Sequence, residues 1–231
     1  MDGMVFLSLL LAHVVGDFYF QNDRLCRNKA EKKIRSPFLY IHSLTIGLLS
    51  WALLPAAGFW LYAILITVTH LFIDTVKSYL GTRLMSFMID QFLHILILYV
   101  ISCIYSFNGT LPLEYINIHG CVSAPAFLIA VLSLMKPVNI LIKLVLERYK
   151  IGEADSCRDI KNAGALIGNL ERVLTLVFVL IGQYEAIGFI IAAKSLLRFK
   201  DTDTAKTEYV LAGTLLSFGI ALVCGLAVGM V

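Results

Sequence analysis

The sequence predicts an all-α fold: a polytopic integral membrane bundle of about eight transmembrane helices. Three observations predict it. Runs of about 20 apolar residues, the length that crosses a bilayer core, recur from one end of the chain to the other. Of the 231 residues, 59% are hydrophobic and only 15% charged, against roughly 25% charged in soluble domains. The mean hydropathy is +0.83, and no stretch is polar enough to form a separate soluble domain. Residues 1–231 therefore read as a single transmembrane domain. A four-helix half rich in His and Asp covers 1–107, and a C-terminal helical half covers 121–231.

Taken in order, the apolar runs place helices near Met4 to Phe20, Phe38 to Leu54, Phe59 to Tyr79, Leu84 to Phe107, Val122 to Tyr149, Ala163 to Gly182, Ala186 to Phe199 and Glu208 to Met230. The first run lacks a basic start and a small-residue cleavage site, and it carries His13 and Asp17, so it reads as a retained helix and not as a signal peptide. Between the first two helices, Gln21 to Pro37 reads as a loop holding Arg24, Arg27, Lys29, Lys32, Lys33 and Arg35. Excess Lys and Arg assign that loop to the cytoplasm. Alternation then puts the turn with Lys77 and Arg83 inside, with the segments from Arg148 to Lys161 and from Arg198 to Lys206. The segments expected outside, around Pro55, Asn108 to Gly120 and Gln183 to Glu185, contain no Lys or Arg. Both termini are expected outside. Lys136 before Pro137 marks an expected kink in the long fifth helix.

Five scattered cysteines, Cys26, Cys103, Cys121, Cys157 and Cys224, form no C-x-x-C pair, which argues against a disulfide framework or a thiolate zinc site. The net charge of +3 is spread between the apolar runs. It reports topology and gives no nucleic-acid-binding stripe.

Seven ionisable residues stand inside or at the ends of apolar runs: His13, Asp17, His42, His70, Asp74, Asp90 and His94. A charge at the centre of such a helix costs at least about 2.5–3.5 kcal/mol unless it is paired or coordinated. Three pairs, His13 with Asp17, His70 with Asp74 and Asp90 with His94, have i, i+4 spacing, which puts both partners on one helical face. The expected topology brings all seven within about two turns of the cytoplasmic boundary, on four helices. Imidazole and carboxylate ligands suit zinc, manganese or iron, and seven such groups exceed the needs of one four-coordinate ion, so two ions fit. Paired ions activate a water and hold the attacking and leaving oxygens in phosphoester hydrolysis, and a spare carboxylate, Asp17 or Asp90, can serve as general base. Taken singly, each of these residues also fits a structural polar contact at a helix end. His119, in an expected external loop, reads as an ordinary polar residue.

A second polar set lies in the C-terminal half: Asn169, Glu171, Arg172, Lys194, Arg198, Glu208 and Tyr209. Lys194 and Arg198 share one helical face and, with Arg172, offer a hold on a phosphate beside the metals. Glu171, Lys194 and Arg198 are the catalytic candidates of this set. The competing reading is that basic residues near helix ends snorkel to the interface. Gly213, Thr214 and Ser217 read as small-residue packing. Asn108-Gly-Thr110 fits a glycosylation sequon, a triplet common by chance.

The segments LAHVVGDFYFQ, HLFID and DQFLH, with GALIGNLERVL, AAKSLLRF and EYVLAGTLLS, resemble the bacterial membrane family catalogued as domain of unknown function 3307, over nearly the whole chain. That resemblance implies a bacterial inner membrane protein. HSLT at His42 and THLFIDTVKSYLG at His70 and Asp74 are also similar to short motifs of the bacterial membrane-bound metal-dependent hydrolases. This implies that those His and Asp residues bind metal and that the chemistry is hydrolysis. The leading expectation is a metal-dependent hydrolase with a cytoplasm-facing site, acting on a lipid or phosphorylated substrate. Two readings remain beside it: a small metal- or proton-coupled transporter, and a membrane component of a signalling or stress complex that docks a cytoplasmic protein through the basic loop.

Overall fold

The computed structural model describes residues 3–21, 23–56, 58–81, 83–105, 123–149, 161–198 and 204–230. Nine α-helices are found among them, with no strand: α1 (Gly3–Val14), α2 (Asp23–Lys32), α3 (Pro37–Leu53), α4 (Trp60–Leu80), α5 (Leu84–Ile104), α6 (Ala124–Arg148), α7 (Lys161–Leu180), α8 (Tyr184–Arg198) and α9 (Thr204–Val228). A π-helical turn, Val15–Tyr19, continues α1, and a 3₁₀ turn, Lys33–Arg35, follows α2. The chain divides into two compact units, Met1–His119 and Gly120–Val231. His119, Cys121, Cys157 and Asn108–Thr110 lie outside the described residues, as does the side chain of Arg198.

Fewer helices qualify as membrane spans than the hydropathy runs suggest. Four are long and apolar enough: α4, α5, α6 and residues Thr207–Val228 of α9. The bent pair Leu25–Arg35 and Pro37–Leu53 makes a fifth if counted as one span. The expectation of eight fails for local reasons. The described part of the first run, α1 with its π turn, is an apolar helix of 17 residues, Gly3–Tyr19. α8 has 15 residues, about 22 Å of helix against a hydrocarbon core of about 30 Å. Only 22–28% of each of the four spans is buried within the chain. Most of their apolar surface therefore faces outward, the reverse of a water-soluble fold.

The basic segment after α1 is not a loop. α2 is amphipathic, with Leu25 and Lys29 turned partly inward and Arg27 and Lys32 exposed, and it meets α3 at an angle of 106°. The corner is made at Lys33, whose φ of 51° is left-handed, a conformation that disfavours any side chain with a Cβ. Lys33 Nζ lies 4.5 Å from the centre of the Tyr79 ring, the Tyr40 hydroxyl donates to the Ile34 carbonyl at 2.9 Å, and Ser36 Oγ donates to Asn28 at 2.9 Å. Pro37 then opens α3, where its missing N–H is harmless.

In the first unit, Val5 and Leu9 of α1, Ile46 of α3, Ala63 and Ile66 of α4, and Leu98 and Ile101 of α5 form the apolar core, closed by Leu54 and Phe59. The seven ionisable residues gather at the other end of the same helices. Buried hydroxyls are satisfied within their own helices: Ser43, Ser50 and Thr67 donate to the Leu39, Ile46 and Ala63 carbonyls at 2.9–3.0 Å. α3 and α4 cross at Gly47, where a Cβ would meet Thr67 Oγ1 and would come within 2.9 Å of the Ala63 carbonyl oxygen. α6 runs unbroken through Pro137. In the second unit, Val179, Ile187 and Phe218 join α7, α8 and α9.

The Gly47 crossing holds His42 of α3 close to His70 of α4. Gly47→Leu is expected to lower stability in detergent by about 1–3 kcal/mol through overpacking, measured as a fall in melting temperature. Gly58→Ala, where a Cβ meets nothing within 4 Å, leaves it unchanged. Equal melting temperatures for the two variants would show that the close crossing is not required.

Candidate metal centre

The first unit brings together the seven His and Asp residues singled out from the sequence. His13, His42, His70, Asp74, Asp90 and His94 are no more than 7% exposed, and the Asp17 side chain is 6% exposed. α1 supplies His13, the π turn Asp17, α3 His42, α4 His70 and Asp74, and α5 Asp90 and His94.

The pairs on α4 and α5 use the i, i+4 spacing as expected. The first pair does not sit on a regular α-helix. At Val15 the chain widens into a π turn, closed by the Phe20 N–H on the Val15 carbonyl at 3.1 Å, and such turns recur at functional sites. Gly16 lies under Ile46 of α3, whose Cδ1 would have to move to admit a Cβ. The widened turn and the bare glycine together bring Asp17 against α3 and α4. Its Oδ1 stands 3.1 Å from His42 Nε2 and 3.3 Å from His70 Nε2, while His13 Nε2 is 3.8 Å from Oδ2.

His42 Nε2 and His70 Nε2 are 3.0 Å apart. Asp17 Oδ1 and these two nitrogens thus form a triangle with sides of 3.0–3.3 Å. Ligands about 2.0–2.1 Å from a tetrahedral zinc ion stand about 3.3 Å from one another. Asp74 Oδ2 lies 3.7 Å from His42 Nε2 and 3.9 Å from His70 Nε2, beside the triangle but outside its group of mutually close ligand atoms. The side-chain amide of Gln21 also contacts His42 Nε2. One ring nitrogen offers a single lone pair or a single proton, yet several polar atoms converge on this one. The three side chains are satisfied by one another and by Gln21 and Gln91, and the spacing of the three atoms also fits a shared cation.

A second group is formed by His13, Asp17 and His94, and a third by His70, Asp74 and His94, each with ligand atoms within 4.8 Å of one another. The His94 Nδ1–H donates to the Asp90 carbonyl at 2.9 Å. That bond fixes the tautomer and leaves Nε2 as the lone-pair nitrogen. Nε2 is buried without a hydrogen-bond partner, and so is Asp90 Oδ1. Beside His94 is a cavity of about 10 Å³, lined also by His13, His70 and Thr69, close to the smallest volume that holds one water.

Four polar residues complete the cluster. Lys29 of α2 donates to Asp74 Oδ2 at 2.7 Å, and Lys77 of α4 donates to Asp90 Oδ2 at 2.5 Å. The Gln91 amide donates to Asp17 Oδ2 at 3.2 Å and to Asp90 Oδ2 at 3.0 Å, and its oxygen lies 3.3 Å from His13 Nε2. Gln21 reaches His42. Two of the three carboxylates therefore have ammonium partners, and Asp17 has only imidazole and amide donors. With neutral imidazoles the cluster keeps one negative charge, which suits a cation. Signals for these residues are present in the sequence: Gln21 and Gln91 lie inside LAHVVGDFYFQ and DQFLH, and Lys77 follows Asp74 by three positions on one face of α4. Lys29 carries no such local signal, because it reaches the site only through the bend between α2 and α3.

The second polar set lies in the second unit. Lys194 Nζ is 2.6 Å from Glu171 Oε2. Arg172, 2% exposed, donates to the Leu134 carbonyl at 2.5 Å, Ser217 Oγ at 2.9 Å, Asn139 Oδ1 at 2.5 Å and Asn169 Oδ1 at 2.6 Å. Its guanidinium thereby fastens α6, α7 and α9 to one another. Glu208 and Tyr209 are exposed.

No curated protein and no solved structure matches the chain. A family model matches residues 5–120, the span of the first unit, and contains all seven His and Asp residues; the C-terminal blocks from Gly164 onward fall outside it. By that match the chain belongs to the family described as protein of unknown function (DUF3307).

Proposed function

We propose that the chain is a membrane-embedded, metal-dependent hydrolase whose site faces the cytoplasm and acts on a phosphate ester. The observation that carries this reading is the triangle of Asp17 Oδ1, His42 Nε2 and His70 Nε2, with Asp74 beside it. Its buried ligand-type atoms are spaced as a cation would hold them. The unpartnered His94 Nε2 supports a second ion, held by His94 with His13 and an oxygen of Asp17. The donor set fits zinc, manganese or iron. The similarity of HSLT and THLFIDTVKSYLG to motifs of membrane-bound metal-dependent hydrolases points the same way. Orientation follows from the basic residues: Arg27, Lys32, Lys33 and Arg35, on the α2 segment beside the site, belong inside.

A divalent ion in such a site lowers the pKa of a water toward neutrality and polarises a phosphoryl oxygen. The chain's own residues supply the rest. Asp90, with Oδ1 unpartnered and Oδ2 fixed by Lys77, takes one proton from the attacking water. The water oxygen forms the new bond to phosphorus, the ester P–O bond breaks, and the departing alkoxide receives the proton. The products are an alcohol and inorganic phosphate. Lys29 and Lys77 offset the charge of the phosphoryl oxygens, and Gln91 holds Asp17 and Asp90 in register.

A carrier would need polar groups along the far halves of the same helices. Residues 3–12, 43–53, 60–69 and 95–104 contain no Asp, Glu, Lys, Arg or His, so the polar cluster has no continuation across the bundle. That asymmetry favours an enzyme over a transporter.

Purified protein is expected to carry stoichiometric zinc, manganese or iron by elemental analysis. His70→Ala and Asp17→Asn should lose it, while Lys143→Ala, an exposed position, should keep it. Gln91→Ala should weaken metal affinity about 10–100-fold, as for other groups that orient ligands. Absence of metal from the wild type after purification without chelators and reloading would refute the metal site. Metal-loaded protein should also hydrolyse p-nitrophenyl phosphate in detergent, and Asp90→Asn should lower kcat about 10²–10⁴-fold with its metal retained. Full activity in that variant would remove Asp90 from the base role.

A further inference from the structure

A second cavity, of about 60 Å³, opens between α2 and α3. Its walls are of two kinds. Phe20, Leu25, Phe38 and Ile41 make one side apolar, and Lys29 and His42 make the inner side polar. His42 is a member of the metal-type triangle and Lys29 ends on Asp74, so the inner wall of this cavity is the outer wall of the candidate metal centre. The volume holds on the order of four waters, enough for a small polar group and too little for a long molecule.

The cavity opens onto a face of α3 that is apolar and exposed. Phe38 and Ile41 at its mouth are 37% and 58% exposed, and Leu44, Leu48 and Trp51 continue the outward surface of the same helix at 46–54%. α2, at 106° to α3, would lie along the membrane surface when α3 crosses it, with Arg27, Lys32 and Lys33 exposed on it. An amphipathic helix with this charge lies at the level of anionic headgroups. A water-soluble phosphate ester has no use for a mouth made of two phenylalanines and an isoleucine. A molecule with a phosphate at one end and acyl chains at the other matches both walls.

We propose that the gap between α2 and α3 is a lateral portal through which the phosphate headgroup of a membrane lipid reaches the site, its chains remaining against the exposed face of α3. Lys29 is the headgroup anchor: its ammonium has three donors, one of which serves Asp74. The inference rests on the hydrolase reading for its chemistry and on the cavity alone for its route.

The test is lipid binding by the full chain in detergent, followed by native mass spectrometry with dioleoyl phosphatidic acid, dioleoyl phosphatidylcholine or glycerol 3-phosphate. Phosphatidic acid should bind at least ten-fold more tightly than phosphatidylcholine, and excess glycerol 3-phosphate should not displace it. Thr45→Trp, which fills the cavity from α3, should weaken phosphatidic acid binding ten-fold or more without lowering the melting temperature, and Lys29→Gln should weaken it as much while lowering the melting temperature, because Asp74 loses its partner. If Thr45→Trp proves unstable, Ile41→Trp at the exposed mouth replaces it. Equal binding of the two lipids, displacement by glycerol 3-phosphate, or indifference to all three variants would overturn the portal. A chain that binds phosphatidic acid in this pattern yet carries no metal would keep the portal and lose the hydrolase.

Discussion

Seven buried ionisable side chains on apolar helices need polar partners, and they find them in one another and in Lys29, Lys77, Gln21 and Gln91. Lipid offers no hydrogen bonds, and the apolar core of the first unit offers none either. His13, Asp17, His42, His70, Asp74, Asp90 and His94 must therefore meet, and the rest of that unit is arranged so that they can. Asp and His side chains are short, so four helices must approach closely at one end. Gly47 removes the side chain that would hold α3 away from α4, and Gly16 lets the π turn sit beneath the Ile46 side chain of α3. In a bilayer the exclusion of water does not drive helices together, so association rests on packing and on polar contacts between helices. In the proposed membrane setting, the polar cluster then fixes the geometry at one end of the bundle, and the Val5, Leu9, Ile66 and Leu98 packing fills the other.

Much of this was legible in the chain. His70 with Asp74 and Asp90 with His94 follow helical spacing directly, and the gathering of all seven residues followed from topology without reference to their chemistry. What was not legible depends on departures from regular helix. The π turn at Val15–Tyr19 changes the phase of Asp17 relative to His13, and periodicity has no signature for one inserted residue beyond the presence of Gly16. Lys29 was read as a topology charge, because a count of basic residues has no direction. Its role depends on α2 being a helix and on the corner at Lys33. The eight expected spans shrank because a hydropathy run fixes apolar character but not helix length: Gly3–Tyr19 is 17 residues long and α8 15.

The two units answer the same constraint in opposite ways, and the contrast bears on which of them handles a ligand. Arg172 is a buried cation whose guanidinium has five donors, and four bonds to neutral acceptors on three helices leave it nearly saturated. Such an arrangement fastens helices and asks for nothing more. The first unit is built otherwise. Three carboxylates face two ammonium groups, imidazole nitrogens crowd one another at hydrogen-bond distance, and His94 Nε2 and Asp90 Oδ1 remain without partners. A structural network evolved for stability alone would be expected to close, since an unsatisfied buried group costs about 1–3 kcal/mol. Two atoms without hydrogen-bond partners, among neighbours held by Gln91, Lys77 and the Asp90 carbonyl, are what the proposed metal reading draws on. The net negative charge and the lone-pair nitrogens are the two features that make a metal cation the ligand proposed for this site.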